Sequence, residues 1–356
     1  MPELNWTSPR NSSGTGAGDG PESGESQAAM DLLPCQQTAL NQFAAYARGR
    51  KDRLARELEE VLQMSEISPT EFRATLNEFQ RSARVALHFH PDRPTRDHAS
   101  TAESMTHTGV YQNQFQSGVS NGALGGDRPG WEDGLFEGAY SDQAGEHRPK
   151  YGALEVLPQL DGPAPRFGSC FFLLKPEVTG RCTFTYLDSH QLPVERGTLD
   201  EFEEIISKLF IDSFNNESVL GLPRLRPRAL LKQLRQPKPT MSRNLNHYVE
   251  AQVHGPIDLR RDVLELHADP SFRGRGLLEP LCQAHHIPLV WHPGSSLDTK
   301  RVPRDFRGPD MPALARQLAP GGTLRAFHLG HQTTHIVPQK LKLLWHVLVR
   351  FGKNCS

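Results

Sequence analysis

The sequence predicts an α+β fold built on one mixed or antiparallel sheet. Three observations carry that expectation. Arg84–His90 and Tyr248–His254 alternate apolar and polar residues with the period of two that a strand requires. Gln36–Met64 and Phe202–Phe210 place apolar residues three and four apart, the period of a helix. The two kinds of stretch follow one another in an order that does not repeat as β-α-β, which argues against a doubly wound sheet.

Residues 1 to about 29 are Gly, Ser, Pro, Asn and Glu with almost nothing apolar. Ordering such a segment costs more than its burial returns, so a disordered leader is expected. Residues 30–83 read as a helical hairpin. Leu40, Phe43, Leu54, Leu58 and Val61 mark its first helix, and Ser68-Pro69-Thr70-Glu71 opens its second with an N-cap, a proline at N1 and a capping-box glutamate. Residues 84–356 then form the α+β domain. Its strands are expected at Arg84–His90, Tyr151–Leu157, Cys170–Leu174, Thr183–Leu187, Tyr248–His254, Asp262–His267 and Pro288–His292, the sixth antiparallel to the fifth. Helices are expected near Glu103–Gln116, around Trp131 and Phe136, over Phe202–Phe210, over Gly276–His286, and at the apolar close Leu341–Arg350. Residues 215–246 are basic, Pro-rich and weakly patterned, and read as an irregular excursion.

The bulk numbers exclude several classes. Lys+Arg 40 against Asp+Glu 41 gives no whole-chain basic field for nucleic acid, although Arg224–Lys238 is locally basic. Five scattered cysteines without a C-x-x-C pair argue for reduced thiols in the cytoplasm and against a zinc knuckle. No run approaches about 18 apolar residues and the amino end has no signal-peptide pattern, so a soluble protein without membrane contact is expected. There is no Walker loop, no G-x-G-x-x-G after a strand and no G-x-S-x-G.

Two polar clusters stand out. On an extended strand Glu250, Gln252 and His254 share one face, opposite Val249, Ala251 and Val253, and Gly255-Pro256 ends the strand. That face is either a site wall or an ordinary wet surface. The second cluster is His88-Phe89-His90-Pro91-Asp92-Arg93. His88 and His90 at a strand end could aim two imidazoles at one metal, and His254, His267 and His292 also fall at or near strand ends, which sustains a metal-dependent hydrolase as an alternative. Ser117 and Ser120 are hydroxyls in turn sequence. Tyr151-Gly152 follows Arg148-Pro149-Lys150, where the glycine permits a close approach by a ligand or a packed neighbour.

Residues from about Arg84 to Gly352 resemble the family catalogued as domain of unknown function 3626. The resemblance rests on His88–Arg93, Gly109-Val110-Tyr111-Gln112-Asn113-Gln114-Phe115, Ser120-Asn121-Gly122, Gly125-Gly126-Asp127-Arg128, Arg148–Leu154, Glu250–Gly255 and Leu344–Leu348. A second resemblance, of motif order alone, is to ADP-ribosyltransferases, which hold NAD in a split β-sandwich. It implies Arg93 or His90 on the first strand as the anchor for NAD, and Ser117 and Ser120, or Tyr151 with Gly152, for the nicotinamide half. It implies Glu250 as the carboxylate that stabilises the oxocarbenium-like transition state. In a Glu-x-Glu arrangement the catalytic glutamate would fall at Gln252, so either Glu250 serves as a single catalytic acid or activity is lost. The expectation is therefore transfer of ADP-ribose from NAD to a protein acceptor, or NAD glycohydrolysis. The alternatives are the metal hydrolase and a non-enzymatic binding module.

Overall fold

The computed structural model describes residues 32–117, 128–330 and 336–355. Ser120, its turn with Asn121 and Gly122, and the Gly125–Asp127 part of the family motifs lie outside the described residues. The disordered leader was expected over residues 1 to about 29, which also lie outside them.

Eight strands make the main sheet: β1 (Val85–Phe89), β2 (Lys150–Leu154), β3 (Cys170–Leu174), β4 (Cys182–Tyr186), β5 (Arg196–Thr198), β6 (Val249–Val253), β7 (Val263–Ala268) and β8 (Leu289–Trp291). Their order is β8-β7-β3-β1-β2-β6-β4-β5, antiparallel at every pairing except β7 with β8. The fold is α+β, as the unrepeated element order implied. The Asp262–His267 segment does form a strand, but it does not pair with the Glu250 strand. It pairs with β3 and β8, and β3, β1 and β2 stand between it and β6. The helical turn Leu259–Asp262, capped by Asp258 accepting from the Arg261 N–H, breaks the chain's extension between them. That turn frees the strand to cross to the other end of the sheet.

One face of the sheet carries Val85, Leu87, Phe172, Leu174, Leu154, Val249, Ala251, Val253 and Phe184, all fully or almost fully buried. The helix Glu203–Asn216 lies on this face through Ile205, Ile206, Leu209 and Phe210. Behind it stand α2 (Ala55–Met64) and α3 (Pro69–Ser82), with Phe72 edge-on to Phe210 at 5.1 Å. The expected helical hairpin is instead three helices. Thr101–Thr108 likewise ends at Gly109, whose φ of +67° stops it, so the single helix expected to Gln116 is two.

The first amino-terminal helix, α1 (Pro34–Arg48), ends at Gly49 and crosses the sheet edge to cover the opposite face. There Ala39 and Phe43 pack with Leu135, Phe136 and Tyr140. Residues 215–246 are also more ordered than expected. They contain a two-stranded hairpin and the helix Pro227–Arg235, which starts with a proline at N1 and buries Leu230 and Leu231. In that helix Leu230, Leu231 and Leu234 share one face, and the neighbouring α3 supplies the packing surface. At the carboxy end Pro338–Phe351 is helical, with Leu344, Trp345 and Leu348 buried as their spacing required.

Candidate functional site

The face opposite the main core is the unusual one. Its alternate positions on β6 are Glu250, Gln252 and His254, and all three are buried (5 %, 0 % and 0 % exposed). The face is therefore not wet, and burying it requires that every polar atom find a partner. Gln252 Nε2 donates to Glu250 Oε1 at 3.1 Å, which turns the amide oxygen toward Thr183. Thr183 Oγ1 donates to that oxygen at 2.8 Å and has no second proton. The 3.1 Å contact between Thr183 Oγ1 and His254 Nε2 must then be donated by the imidazole. Nδ1 is left to accept from the Tyr140 hydroxyl at 2.6 Å. One directed chain thus runs Tyr140, His254, Thr183, Gln252, Glu250. Burial holds the His254 imidazole neutral, lowered to about 3, as Arg181 and Lys150 also do.

Glu250 closes this chain from the other side. Ser189 Oγ donates to its Oε1 at 2.5 Å and the Ser189 N–H donates to its Oε2 at 3.2 Å. Burial, reinforced by Asp188, nevertheless raises the carboxyl from 4.5 to about 7, against the pull of Ser189 and Gln252. The turn that brings Ser189 here is strained, because Leu187 (φ +68°) and Leu192 (φ +47°) are both in the left-handed region. The turn is anchored by the Trp131 indole, which donates to the Ser189 carbonyl at 2.8 Å, and by Tyr248 Oη donating to Asp188 at 3.1 Å. Tyr151, on the neighbouring strand and on this same face, packs at a tilt on Trp131 with ring centroids 5.3 Å apart and donates to Glu132 at 3.0 Å. Arg148 holds the other Glu132 oxygen at 2.8 Å.

β1 and β2 pair over Val85↔Leu154 and Ala86↔Ala153 and then part, while β1 continues with β3 and β2 with β6. Tyr111 enters this fork, donating from its hydroxyl to the His88 carbonyl at 3.4 Å and from its N–H to Ile257 at 3.0 Å. Asn113 follows, donating to the Arg148 carbonyl at 3.1 Å. The Gly109–Phe115 motif is thereby a wedge that satisfies backbone groups the parted strands leave unpaired.

His88 and His90 lie on the Glu250 side of the sheet, two strands from β6, or about 10 Å at the usual strand spacing. They do not converge. His88 accepts from the Ala164 N–H at 3.2 Å and donates to the Gly168 carbonyl at 3.3 Å, so both ring nitrogens are engaged with backbone. Burial lowers it to about 3. His90 turns to Ser169 Oγ at 3.2 Å and meets the Trp345 ring edge-on at 4.9 Å. His292 is bound by Ser169 and Gly294 backbone at 3.0 Å each. Among the described residues no three His, Cys, Asp or Glu side chains are grouped to hold a metal ion.

Of the remaining candidates, Ser117 donates to the Asn113 carbonyl at 2.9 Å as a local turn bond. Gly152 faces the apolar core. A Cβ there would sit 2.6 Å from the Ala86 carbonyl and 2.8 Å from Leu87, so the glycine serves close strand approach and not a ligand. Arg93 follows β1 as a largely buried guanidinium, drawn down by burial to about 10 and so charged at neutral pH. The site residues with no sequence signal are Tyr140, Ser189, Asp188, Trp131 and Glu132, all from loops or a short helix. Thr183-Phe184-Thr185 did carry one, because its alternation matches that of Glu250-Ala251-Gln252.

A mostly antiparallel sheet with a buried, directed polar ladder on one face defines this as an α+β domain whose candidate site is built into the sheet itself. The chain belongs to the family described as Protein of unknown function (DUF3626), which it matches over residues 84–351. That span begins one residue before β1 and takes in every strand of the main sheet, leaving α1 to α3 outside it. No curated protein matches the chain. Among the described residues no helix is long and apolar enough to cross a membrane.

Proposed function

We propose that this chain is an NAD-dependent ADP-ribosyltransferase acting on a protein acceptor, with glycohydrolysis as the same reaction when water is the acceptor. One observation carries the reading: β1, β2 and β6 are successive in the sheet and bring His90 (the residue after β1), Tyr151 and Glu250 to one face, beside a fork between β1 and β2. These are the residue types, in the order, that such a transferase uses around NAD in a split sheet. In the reaction the bond between the nicotinamide ring nitrogen and ribose C1′ breaks, and nicotinamide leaves neutral with the bonding pair. The acceptor's lone pair then forms the new bond to C1′, and the acceptor loses its proton to solvent. Positive charge on the ribose in between is what a buried carboxylate stabilises most strongly, because no water screens it.

Glu250 is the carboxylate in this reading. Ser189 presently gives it a hydroxyl and an N–H, the kind of donor a ribose hydroxyl would supply, so substrate entry requires the strained Leu187–Leu192 turn to yield that position. Gln252 acts as a positioning residue, since both ends of its amide are engaged and its side chain is wholly buried. In this reading Arg93, beyond the end of β1, is the cation that would meet the phosphates. The metal-hydrolase alternative is disfavoured by His88, whose two nitrogens are both engaged with backbone.

The test is release of nicotinamide from NAD, with and without cell extract supplying acceptors. Glu250→Gln should lower turnover by about 10²–10³ with the fold intact, and Gln252→Ala by less. Wild-type protein that neither binds NAD nor releases nicotinamide would remove this reading and leave that of a binding module.

A further inference from the structure

Next to the Glu250 turn, four cations collect from distant parts of the sequence. Arg166 lies on the 3-10 turn Pro165–Phe167, and that turn is pinned to the closing helix by the Trp345 indole donating to the Pro165 carbonyl at 2.8 Å. Lys342 and His346 are one helical turn apart on that helix and share a face. Arg307 comes from the loop whose Phe306 packs edge-on to Phe351 of the same helix at 5.1 Å. Arg93 comes from the end of β1, where His90 meets Trp345.

The electrostatics agree with that placement. Burial first, and then Arg166, Arg93 and Arg307, lower the Lys342 ammonium, and Asp188 alone opposes them. Burial, then Arg307, Arg166 and Lys342, lower the His346 imidazole. The carboxylates facing the cluster are Asp188, 3.8 Å from Arg166, and Asp92, which acts on Arg93. Four cations thus face two carboxylates, and one of the two already accepts from Tyr248. Like charges gathered at one place cost free energy unless an anion joins them.

Polar atoms around the cluster are also left over. Nε2 of His90 (5 % exposed) is buried without a hydrogen-bond partner, as are Nε of Arg166 and Nε of Arg307, and the buried His346 ring (2 % exposed) lies against the Arg166 backbone. Buried polar atoms are nearly always paired in folded proteins, so three orphans on three neighbouring residues point to a ligand that pairs with them. Guanidinium N–H groups and an ammonium are donors alone, and their natural complement is an oxyanion rich in acceptors.

We infer that Arg93, Arg166, Arg307 and Lys342, with His90 and His346 behind them, form a binding site for a diphosphate group. The site touches the Glu250 turn through Arg166 and Asp188, so a diphosphate here would lead its attached ribose toward Glu250. The inference rests on the preceding reading for NAD as the natural source, while the anion site stands on its own residues.

The experiment is calorimetric and thermal-shift titration of the full chain with three probes: inorganic pyrophosphate, ADP-ribose, and adenosine as a phosphate-free control. Pyrophosphate and ADP-ribose should bind, more weakly as salt rises, and adenosine should not. Arg166→Gln and Lys342→Met should each weaken pyrophosphate binding by about tenfold or more, with Arg56→Gln, on an exposed helix face, as the unaffected control. Because the cluster is self-repelling, these variants should melt unliganded at or above the wild-type temperature. Absence of pyrophosphate binding to wild-type protein, or equal binding by the variants, would overturn the site. A drop in unliganded melting temperature with the ligand-induced shift preserved would make the cluster structural and overturn it equally. Pyrophosphate binding without ADP-ribose binding would assign the site to a free phosphate compound. Intact binding of both without nicotinamide release would leave the site standing and remove the transferase.

Discussion

Replacing Glu250 by Gln tests whether this carboxyl is as destabilised as its surroundings imply. Burial raises it from 4.5 to about 7. A carboxyl raised on folding contributes stability that is fully present below about pH 4.5 and lost as pH rises through about 7. At about 1.4 kcal/mol for each tenfold change in the ionisation constant, the wild type should lose about 3 kcal/mol relative to a non-titrating variant between pH 4.5 and pH 8. Gln keeps an acceptor for Ser189 Oγ and Gln252 but sets an amide NH₂ against the Ser189 N–H, a fault costing about 1–3 kcal/mol. That fault does not depend on pH. The quantity to measure is therefore the change in ΔΔG between the two pH values, from urea unfolding of both proteins. It should move by about 3 kcal/mol in favour of Glu250→Gln at pH 8. A ΔΔG that is flat across the window would mean that Glu250 is not held in a dry site, and the electrostatic basis of the proposed chemistry would go with it.

Three further perturbations bear on the architecture. Ser189→Ala removes the hydroxyl bond to the carboxylate and should cost about 1.5–3 kcal/mol in urea unfolding at pH 8, with a smaller loss at pH 5 where the carboxyl is protonated. Trp345→Ala should cost about 3–5 kcal/mol by removing a buried ring that also donates to Pro165, seen as a lower melting temperature. Gly152→Ala should destabilise by about 1–3 kcal/mol because its Cβ meets the Ala86 carbonyl, while NAD binding per folded molecule stays at the wild-type level. An undiminished melting temperature in that variant would return Gly152 to the list of ligand contacts.

The sequence by itself determined those features that depend on local period and chemistry. Alternation at Tyr248–His254 fixed which residues share a face with Glu250, and the spacing of Leu344, Trp345 and Leu348 fixed the buried stripe of the closing helix. Ser68-Pro69 set the start of α3. What the tertiary structure decided was everything that depends on which surfaces meet. Alternation gives two faces but not their exposure, and it is α1, the Trp131–Tyr140 segment and the Ser189 turn that together turn the polar face of β6 into an interior. Pairing was equally out of reach, because β6 and β7 are close in sequence yet stand at separate places in the sheet, divided by a capped helical turn. Gln252 could be a catalytic position in one dimension. In three it is a link whose amide is engaged at both ends. The cations of the cluster come from residues 93, 166, 307 and 342, and no local pattern joins them. Their proximity exists because the closing helix folds back over β1 and the Pro165–Phe167 turn, burying Trp345 and carrying Lys342 and His346 into the field of three arginines.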